Sequence, residues 1–266
     1  MDIFTGLKDR DLRREGILIG EGRLVAERVA ASCTLVAILA EPSAAKEAET
    51  LAAGACPITV LPTAEIADLA GYAFHRGLLV AAERPKTRPF IPTLEATVKN
   101  GEGGNAALAD ARRLVVLPEP TDPENLGSIA RSALALGWDG LVLGPSACDP
   151  WGRRSLRCSM GATLALPVYH AQSSLDLSMT VDYGWDMVAA ENEMGALEAG
   201  SWELGDWIGR HERLCVLFGN ERDGIPASWR SRCSVAVTIP LAPGKRQCVQ
   251  SLNVAAAAAI ILWELR

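Results

Sequence analysis

Three short polar stretches of the sequence carry side chains that could do chemistry, and each adjoins an apolar run. The first spans residues 122–137 and places Asn125 where a helix starts, with Arg131 six residues on. The second spans residues 157–168 and contains a serine followed by Gly161. The third joins the segments FGNERDG and SLNV, whose side-chain donors and acceptors are Asn220, Glu221, Ser251 and Asn253.

Arg131 stands among Ile129, Ala133 and Leu134, on the apolar side of the predicted helix. Burying an arginine there is costly unless it meets an anion or a polar ligand. The alternative is that its guanidinium extends into solvent. Each polar stretch taken singly could be only a cap or a turn, whereas the three together indicate a ligand site.

Two apolar runs place the third stretch at the edge of a sheet. LCVLFG (214–219) and VAVTIP (235–240) are typical of buried parallel strands. The alanine-rich segment after them predicts a helix, for which Ser251 can serve as the cap. In open α/β sheets, ligands bind outside the carboxyl ends of the strands, so we expect the site there.

The rest of the chain predicts two α/β layers. Residues 17–82 alternate between helical and strand patterns, with Thr63 available as a helix cap. A stretch rich in Pro, Gly and charge follows, and a second α/β series begins at Arg113. We therefore predict a small α/β domain (1–84), a linker (85–111) and a larger domain with a parallel sheet (112–266).

Composition excludes several classes of protein. With 266 residues, 49% of them hydrophobic and 22% charged, the chain is globular rather than disordered. Charges near the start argue against a signal peptide, and no apolar run approaches the roughly 20 residues that a membrane span needs. We expect a cytoplasmic protein. A net charge of −6 argues against non-specific coating of nucleic acid, although the basic residues are bunched.

Sequence motifs for other chemistries are missing. The seven cysteines contain no CxxC pair, so neither a disulfide framework nor a zinc site is indicated. The glycine fingerprints of dinucleotide and phosphate loops do not occur, nor does H-E-x-x-H. These observations disfavour a nucleotide-dependent oxidoreductase and predict no metal.

The order of the polar stretches resembles the SpoU (TrmH-like) family of RNA ribose 2′-O-methyltransferases in the SPOUT superfamily. The family's first motif is matched by Asn125, Gly127, Ile129, Arg131, Ala133 and Gly137. Its second is matched by Asp149, Pro150, Arg157, Ser159, Gly161, Ala162 and Pro167. Its last two are matched by Gly219, Glu221, Gly224, Ser251, Leu252, Asn253 and Val254. The resemblance covers residues 113–266, and residues 1–80 resemble the family's small RNA-binding domain more weakly.

The resemblance implies methyl transfer from S-adenosylmethionine to a ribose 2′-hydroxyl of rRNA or tRNA, without a metal. It implies a SPOUT-type parallel sheet with a trefoil knot that grips the cofactor. The cofactor-binding residues would be Gly219, Asn220, Ile239, Leu241, Leu252 and Asn253. The catalytic residues would be Arg131, Asn125, Glu221, Ser251 and Asn253. The family also forms homodimers through this domain, in which Arg131 of one subunit would lie near the cofactor of the other.

One segment departs from the family pattern. Residues 241–250 are longer by several residues than the usual loop, and Lys245 and Arg246 could add an RNA contact there. Alternatively, the loop could alter the affinity for the cofactor. A rival hypothesis is a non-catalytic RNA-binding or assembly factor on the same scaffold. The joint presence of Arg131, Glu221, Ser251 and Asn253 argues against that rival.

Overall fold

A computed structural model describes residues 3–90, 108, 110–174, 176, 184–242 and 251–266. The chain divides into two compact units. The first unit comprises Met1–Lys86 with Asp149–Ala165, and the second comprises Thr87–Cys148 with Leu166–Arg266. The domain boundaries drawn from the sequence stay a prediction, and the structure adds that residues 149–165 pack within the first unit.

The first unit contains a mixed four-stranded sheet in the order β1-β4-β2-β3. Strand β4 is antiparallel to β1 and β2, and β2 is parallel to β3. Apolar side chains that include Ile19, Leu39 and Leu79 form its core. Its elements before residue 87 are α1 (Asp9–Arg14), β1 (Ile17–Glu21), α2 (Arg23–Ser32), β2 (Leu35–Ala40), a 3₁₀ turn (Pro42–Ala44), α3 (Ala45–Ala52), β3 (Ile58–Val60), α4 (Thr63–Ala70) and β4 (Leu78–Glu83).

Two details of this unit differ from the sequence prediction. Thr63 does not cap α4: it is the first helical residue after Pro62, and its hydroxyl donates to Glu41 at 2.8 Å. Strand β1 was not predicted, because Gly20 interrupts its apolar pattern. A Cβ on Gly20 would lie 2.9 Å from a methyl group of Val29, so the missing side chain lets α2 pack closely on β1.

The remaining described elements are eight strands and six helices. In chain order they are β5 (Arg88–Pro89), β6 (Arg113–Leu117), α5 (Pro123–Ala135), β7 (Gly140–Leu143), α6 (Arg153–Cys158), α7 (Ala162–Ala165), β8 (Val168–His170), β9 (Trp185–Ala190), β10 (Leu197–Glu198), α8 (Trp202–Ile208), β11 (Arg213–Phe218), α9 (Ala227–Arg230), β12 (Val235–Thr238) and α10 (Val254–Glu264). Helices α6 and α7 belong to the first unit.

The second unit contains an eight-stranded sheet in the order β10-β12-β9-β11-β6-β7-β8-β5. Every described pairing in it is parallel, which confirms the predicted parallel α/β fold. Its central strands are apolar and buried, as strands covered on both faces must be. The edge strand β5 falls inside the segment that we predicted as a linker.

Two helices of this unit pack against each other, and both have identifiable caps. Helix α5 begins after Asp122, whose carboxylate accepts from the backbone N–H of Glu124 at 2.9 Å. It is followed by Gly137 at φ +79°, as predicted for a glycine-terminated helix. The indole N–H of Trp138 then donates to the carbonyl of Leu262 at 3.1 Å and ties this end of α5 to α10.

Candidate active site

A cavity of about 280 Å³ lies where three neighbouring strands of the second unit end. Strands β12, β9 and β11 are consecutive in the sheet and parallel, so their carboxyl ends meet at one edge. The chain after each strand, together with the start of α10, forms the cavity. Its described lining includes Glu191, Asn192, Gly219, Asn220, Glu221, Gly224, Ile225, Thr238, Ile239, Leu241, Ser251, Leu252, Val254 and Ala257.

The loop after β11 turns back on itself at Gly219. Backbone hydrogen bonds join Asn220 and Gly224 in both directions, at 3.1 and 3.2 Å. The side-chain oxygen of Asn220 also accepts from the backbone N–H groups of Arg222 and Asp223. A Cβ on Gly219 would lie 2.2 Å from the carbonyl carbon of Gly224, which no side chain can do. Glycine is therefore required where the chain doubles back along the cavity wall.

Three polar side chains from distant parts of the sequence join at the rim of this site. The amide of Asn125, in the first turn of α5, donates to the carboxylate of Glu221. The amide of Asn253 donates to the side-chain oxygen of Asn125 at 3.1 Å. This chain of hydrogen bonds holds three segments in register: the start of α5, the loop after β11 and the start of α10.

Asn253 has a second task, since it caps α10. Its side-chain oxygen accepts from the N–H groups of Ala255 at 2.9 Å and Ala256 at 3.3 Å. The prediction that Ser251 would cap this helix is therefore wrong. Ser251 is exposed and lies two residues earlier, on the cavity lining. A single asparagine thus couples the helix terminus to the polar network, because its oxygen serves the helix and its amide serves Asn125.

Arg131 is placed differently from the other predicted site residues. Its neighbours Ala130 and Ala133 are buried, but Arg131 itself is exposed on α5. The buried arginine considered in the sequence analysis is therefore not observed. Arg131 is also absent from the described lining of the cavity, as are Asn125 and Asn253. The predicted cofactor-binding residues Gly219, Asn220, Ile239, Leu241 and Leu252 all line it.

The second polar stretch of the sequence packs inside the first unit as far as Ala165. The Ser159 hydroxyl is buried and donates to the carbonyl of Leu156 at 3.2 Å. Asp149 pairs with Arg84 and accepts from the backbone N–H of Trp151 at 2.9 Å. These contacts are structural. None of residues 149–165 belongs to the described cavity lining.

The sequence analysis missed one charged group on the cavity. Glu191 comes directly after β9, and its carboxylate accepts from the guanidinium of Arg230 at 2.9 Å. Arg230 also pairs with Glu193. Burial lowers the pKa of Arg230, but hydrogen bonds and charges from Glu193 and Glu191 outweigh that effect and raise it. The sequence could have indicated Glu191, because it is a carboxylate at the end of a predicted parallel strand.

The cavity suits a ligand of mixed character. Its wall is largely apolar, while Glu191 and Glu221 supply negative charge and Gly219 adds backbone to the lining. Its volume is near the lower end of the roughly 300–1,000 Å³ usual for small-molecule sites. S-adenosylmethionine, with an adenine, a ribose and a cationic sulfur, fits this donor set. Lys245 and Arg246 of the long loop lie outside the described residues, and the knot stays a prediction.

Two other kinds of feature are absent from the described ranges. No helix in them is both long and apolar enough to cross a membrane. No group of three or more His, Cys, Asp or Glu side chains within the same ranges is arranged to hold a metal ion.

Comparison with protein families matches residues 112–263 to the SpoU rRNA methylase family. An uncharacterized tRNA/rRNA methyltransferase of Mycobacterium tuberculosis is 32% identical over 274 residues, which cover 99% of this chain and 87% of that one. A 23S rRNA (uridine(2479)-2′-O)-methyltransferase of Streptomyces viridochromogenes is 35% identical over 150 residues, or 56% of this chain and 50% of that one.

Two solved structures have the same fold. The SpoU methyltransferase AviRb of Streptomyces viridochromogenes, in complex with AdoMet, gives a TM-score of 0.73 at 22% identity. The alignment covers 97% of this chain and 92% of AviRb. An AdoMet-bound rRNA methyltransferase of Sinorhizobium meliloti gives a TM-score of 0.75 at 20% identity, covering 97% and 90% of the two chains.

Proposed function

This chain belongs to the SpoU rRNA methylase family and is an S-adenosylmethionine-dependent RNA ribose 2′-O-methyltransferase; we propose that ribosomal RNA is its substrate. We further propose that the cofactor binds in the cavity at the ends of β9, β11 and β12. The observation that carries this proposal is the network of Asn125, Glu221 and Asn253 beside that cavity. It joins the three segments of the chain that carry the predicted catalytic residues and four of the six predicted cofactor-binding residues.

The apolar wall and the backbone of Gly219 would hold the adenosine part of the cofactor. S-adenosylmethionine supplies an activated methyl group, so the protein's task is to orient the 2′-oxygen and to assist loss of its proton. Ser251 is exposed at the cavity and can donate to or accept from a ribose hydroxyl. Glu221 and Asn253 orient Asn125 and keep the loop and helix in place for that contact.

Arg131 would act on the substrate oxygen from a second copy of the chain. Six residues advance a helix by about 9 Å and turn it by about 600°, so Arg131 points roughly 120° away from Asn125. The cavity of the same subunit therefore lies on a different side of α5 from Arg131. A guanidinium stays protonated at neutral pH, so Arg131 would position ribose or phosphate and stabilise the developing alkoxide.

The exposed face of α10 supports such a dimer. Ile260 is 39% exposed and Trp263 is 52% exposed, and residues three apart share one face of a helix. Leu252, at the cavity rim, is also exposed. A second copy would cover these apolar side chains and bring its own Arg131 to the cavity. Light scattering should show a dimer, and Trp263→Glu should shift the protein toward monomer without unfolding it.

A mixing experiment tests the exchange of Arg131 between subunits. Arg131→Ala keeps an intact cavity, whereas Gly219→Ala keeps an intact Arg131 but distorts the cavity wall. Each variant alone should be inactive. Mixed dimers would contain one complete site, so denaturing and refolding the two together should restore about a quarter of wild-type activity. If the mixture stays inactive although mixed dimers form, Arg131 does not act across the interface.

The substrate is tested by methyl transfer from tritiated cofactor to defined RNAs. Transcripts of 23S rRNA, 16S rRNA and tRNA would be compared, with Arg131→Ala as the inactive control. Ribose methylation makes the adjacent phosphodiester resistant to alkali, so labelled dinucleotides after alkaline hydrolysis would identify the 2′-hydroxyl as acceptor. Label in tRNA but not in rRNA would overturn the substrate assignment. RNA binding without any transfer would favour a non-catalytic assembly factor.

A further inference from the structure

Glu191 is a charged group on the cavity to which the proposed reaction gives no role. It directly follows β9, and its backbone N–H donates to the carbonyl of Val237 at 3.1 Å, which fixes it to the neighbouring strand. Its side chain is 25% exposed and contributes to the cavity lining. The carboxylate is therefore held at the site and is not a mobile surface charge.

Arg230 determines how this carboxylate is presented. The guanidinium donates its Nε–H to Oε2 of Glu191 at 2.9 Å and uses another nitrogen for Glu193. Oxygen Oε1 of Glu191 lies 3.9 Å from where a Cβ on Gly224 would stand, so it is directed toward the loop that forms the cavity wall. One oxygen is fixed by the arginine, while the other lies near Gly224, which also lines the cavity.

The charge balance of this cluster is negative. Two carboxylates, Glu191 and Glu193, share the single guanidinium of Arg230, which leaves one negative charge in excess. Glu193 is the more exposed of the two acids and does not belong to the described cavity lining. Charges near a partly buried cavity interact more strongly than charges in bulk water. Glu191 therefore acts more strongly than Glu193 on whatever occupies the cavity, because only Glu191 belongs to the described lining.

We infer that Glu191 makes the site discriminate between the methylated cofactor and the demethylated product. This inference rests on the proposed function, which places S-adenosylmethionine in the cavity. The cofactor carries a positive sulfonium, whereas S-adenosylhomocysteine is neutral at sulfur and otherwise the same. A fixed carboxylate stabilises the first by charge attraction and not the second. The consequence is tighter binding of the cofactor and easier release of the product.

Calorimetric titration with both ligands tests this inference. For wild type and Glu191→Gln, each ligand would be titrated into the same preparation. Loss of the charge should weaken S-adenosylmethionine by about tenfold, which corresponds to about 1.4 kcal/mol, and S-adenosylhomocysteine by less than about twofold. Glu191→Asp keeps the charge and should largely keep the wild-type ratio of the two dissociation constants.

Glu193→Gln is the matched control. It removes a carboxylate from the same guanidinium but leaves the cavity lining intact, so both affinities should stay within about twofold of wild type. Equal weakening of both ligands by Glu191→Gln would overturn the inference, since Glu191 would then only shape the cavity. Failure of wild type to bind either ligand would instead refute the proposed cofactor site.

Discussion

Substitution of Gly219 by alanine tests the geometry of the cavity wall. The added Cβ would lie 2.2 Å from the carbonyl carbon of Gly224 and 2.4 Å from the backbone nitrogen of Ile225. Ordinary carbon contacts are about 3.5–4.0 Å, so the two backbone segments must separate by more than about 1 Å. That movement strains or breaks the paired hydrogen bonds between Asn220 and Gly224. We expect a loss of about 2–4 kcal/mol of stability from overpacking and these bonds together.

The assay combines thermal unfolding with calorimetric titration of S-adenosylmethionine. Gly219→Ala should lower the Tm by several degrees and weaken the cofactor by at least about tenfold, because the displaced loop carries the cavity wall. Gly205→Ala is the control: Gly205 lies inside α8 with no atom within 4 Å of an added Cβ. It should raise stability by about 0.5–1 kcal/mol and leave cofactor binding unchanged. A Gly219→Ala protein with wild-type affinity and Tm would refute the close approach of Gly219 to Gly224.

Three further predictions separate the roles of other residues. Asn253→Ala should cost about 1 kcal/mol of stability through loss of the α10 cap, whereas Asn253→Asp should keep the cap. Both variants should lower methyl transfer, because neither side chain can donate a hydrogen bond to Asn125. Normal activity of the Asp variant would refute that role of Asn253. Arg131→Ala should change the free energy of unfolding by less than about 0.5 kcal/mol, because the side chain is exposed. It should reduce methyl transfer by at least about 100-fold. Retained methyl transfer would show that Arg131 is not part of the active site. Burial raises the pKa of the Cys215 thiol and raises that of Cys233 to about 12. Mass spectrometry after alkylation at pH 8 should therefore find both thiols unmodified in the folded protein and modified after denaturation. Rapid labelling of Cys215 in the folded protein would contradict its burial.

The sequence predicted the elements that are regular in pattern. Fully apolar runs such as 214–219 are buried parallel strands in the structure, because only residues of this kind can occupy a sheet covered on both faces. The same observation predicted a ligand site at the carboxyl ends of the strands, where the structure has a cavity. The resemblance then supplied the family, which the comparisons confirm.

Details that depend on the folded arrangement of the chain could not be predicted. Ser251 and Asn253 are both good helix caps, and only the path of the chain into α10 determines which one meets the free N–H groups. The prediction that Thr63 caps α4 was wrong for the same reason, because the Thr63 hydroxyl donates to Glu41, which lies outside the helix. The role of Glu191 depends on Arg230, 39 positions away, and spacing in the sequence does not reveal such a pair.

The polar network explains why the site needs segments so far apart in the chain. Asn125 and Asn253 are separated by 128 positions, yet one hydrogen bond joins them, and Asn125 reaches Glu221 in turn. Each member holds another in place, so loss of one leaves its partner's polar groups unsatisfied beside the cavity. Helix α5 also carries Arg131, which the proposed dimer delivers to the other subunit. A substitution of Asn253 should therefore affect two sites. It should disturb the cofactor cavity of its own subunit through α10, and it should disturb the position of Arg131 at the ribose in the other subunit's site through α5.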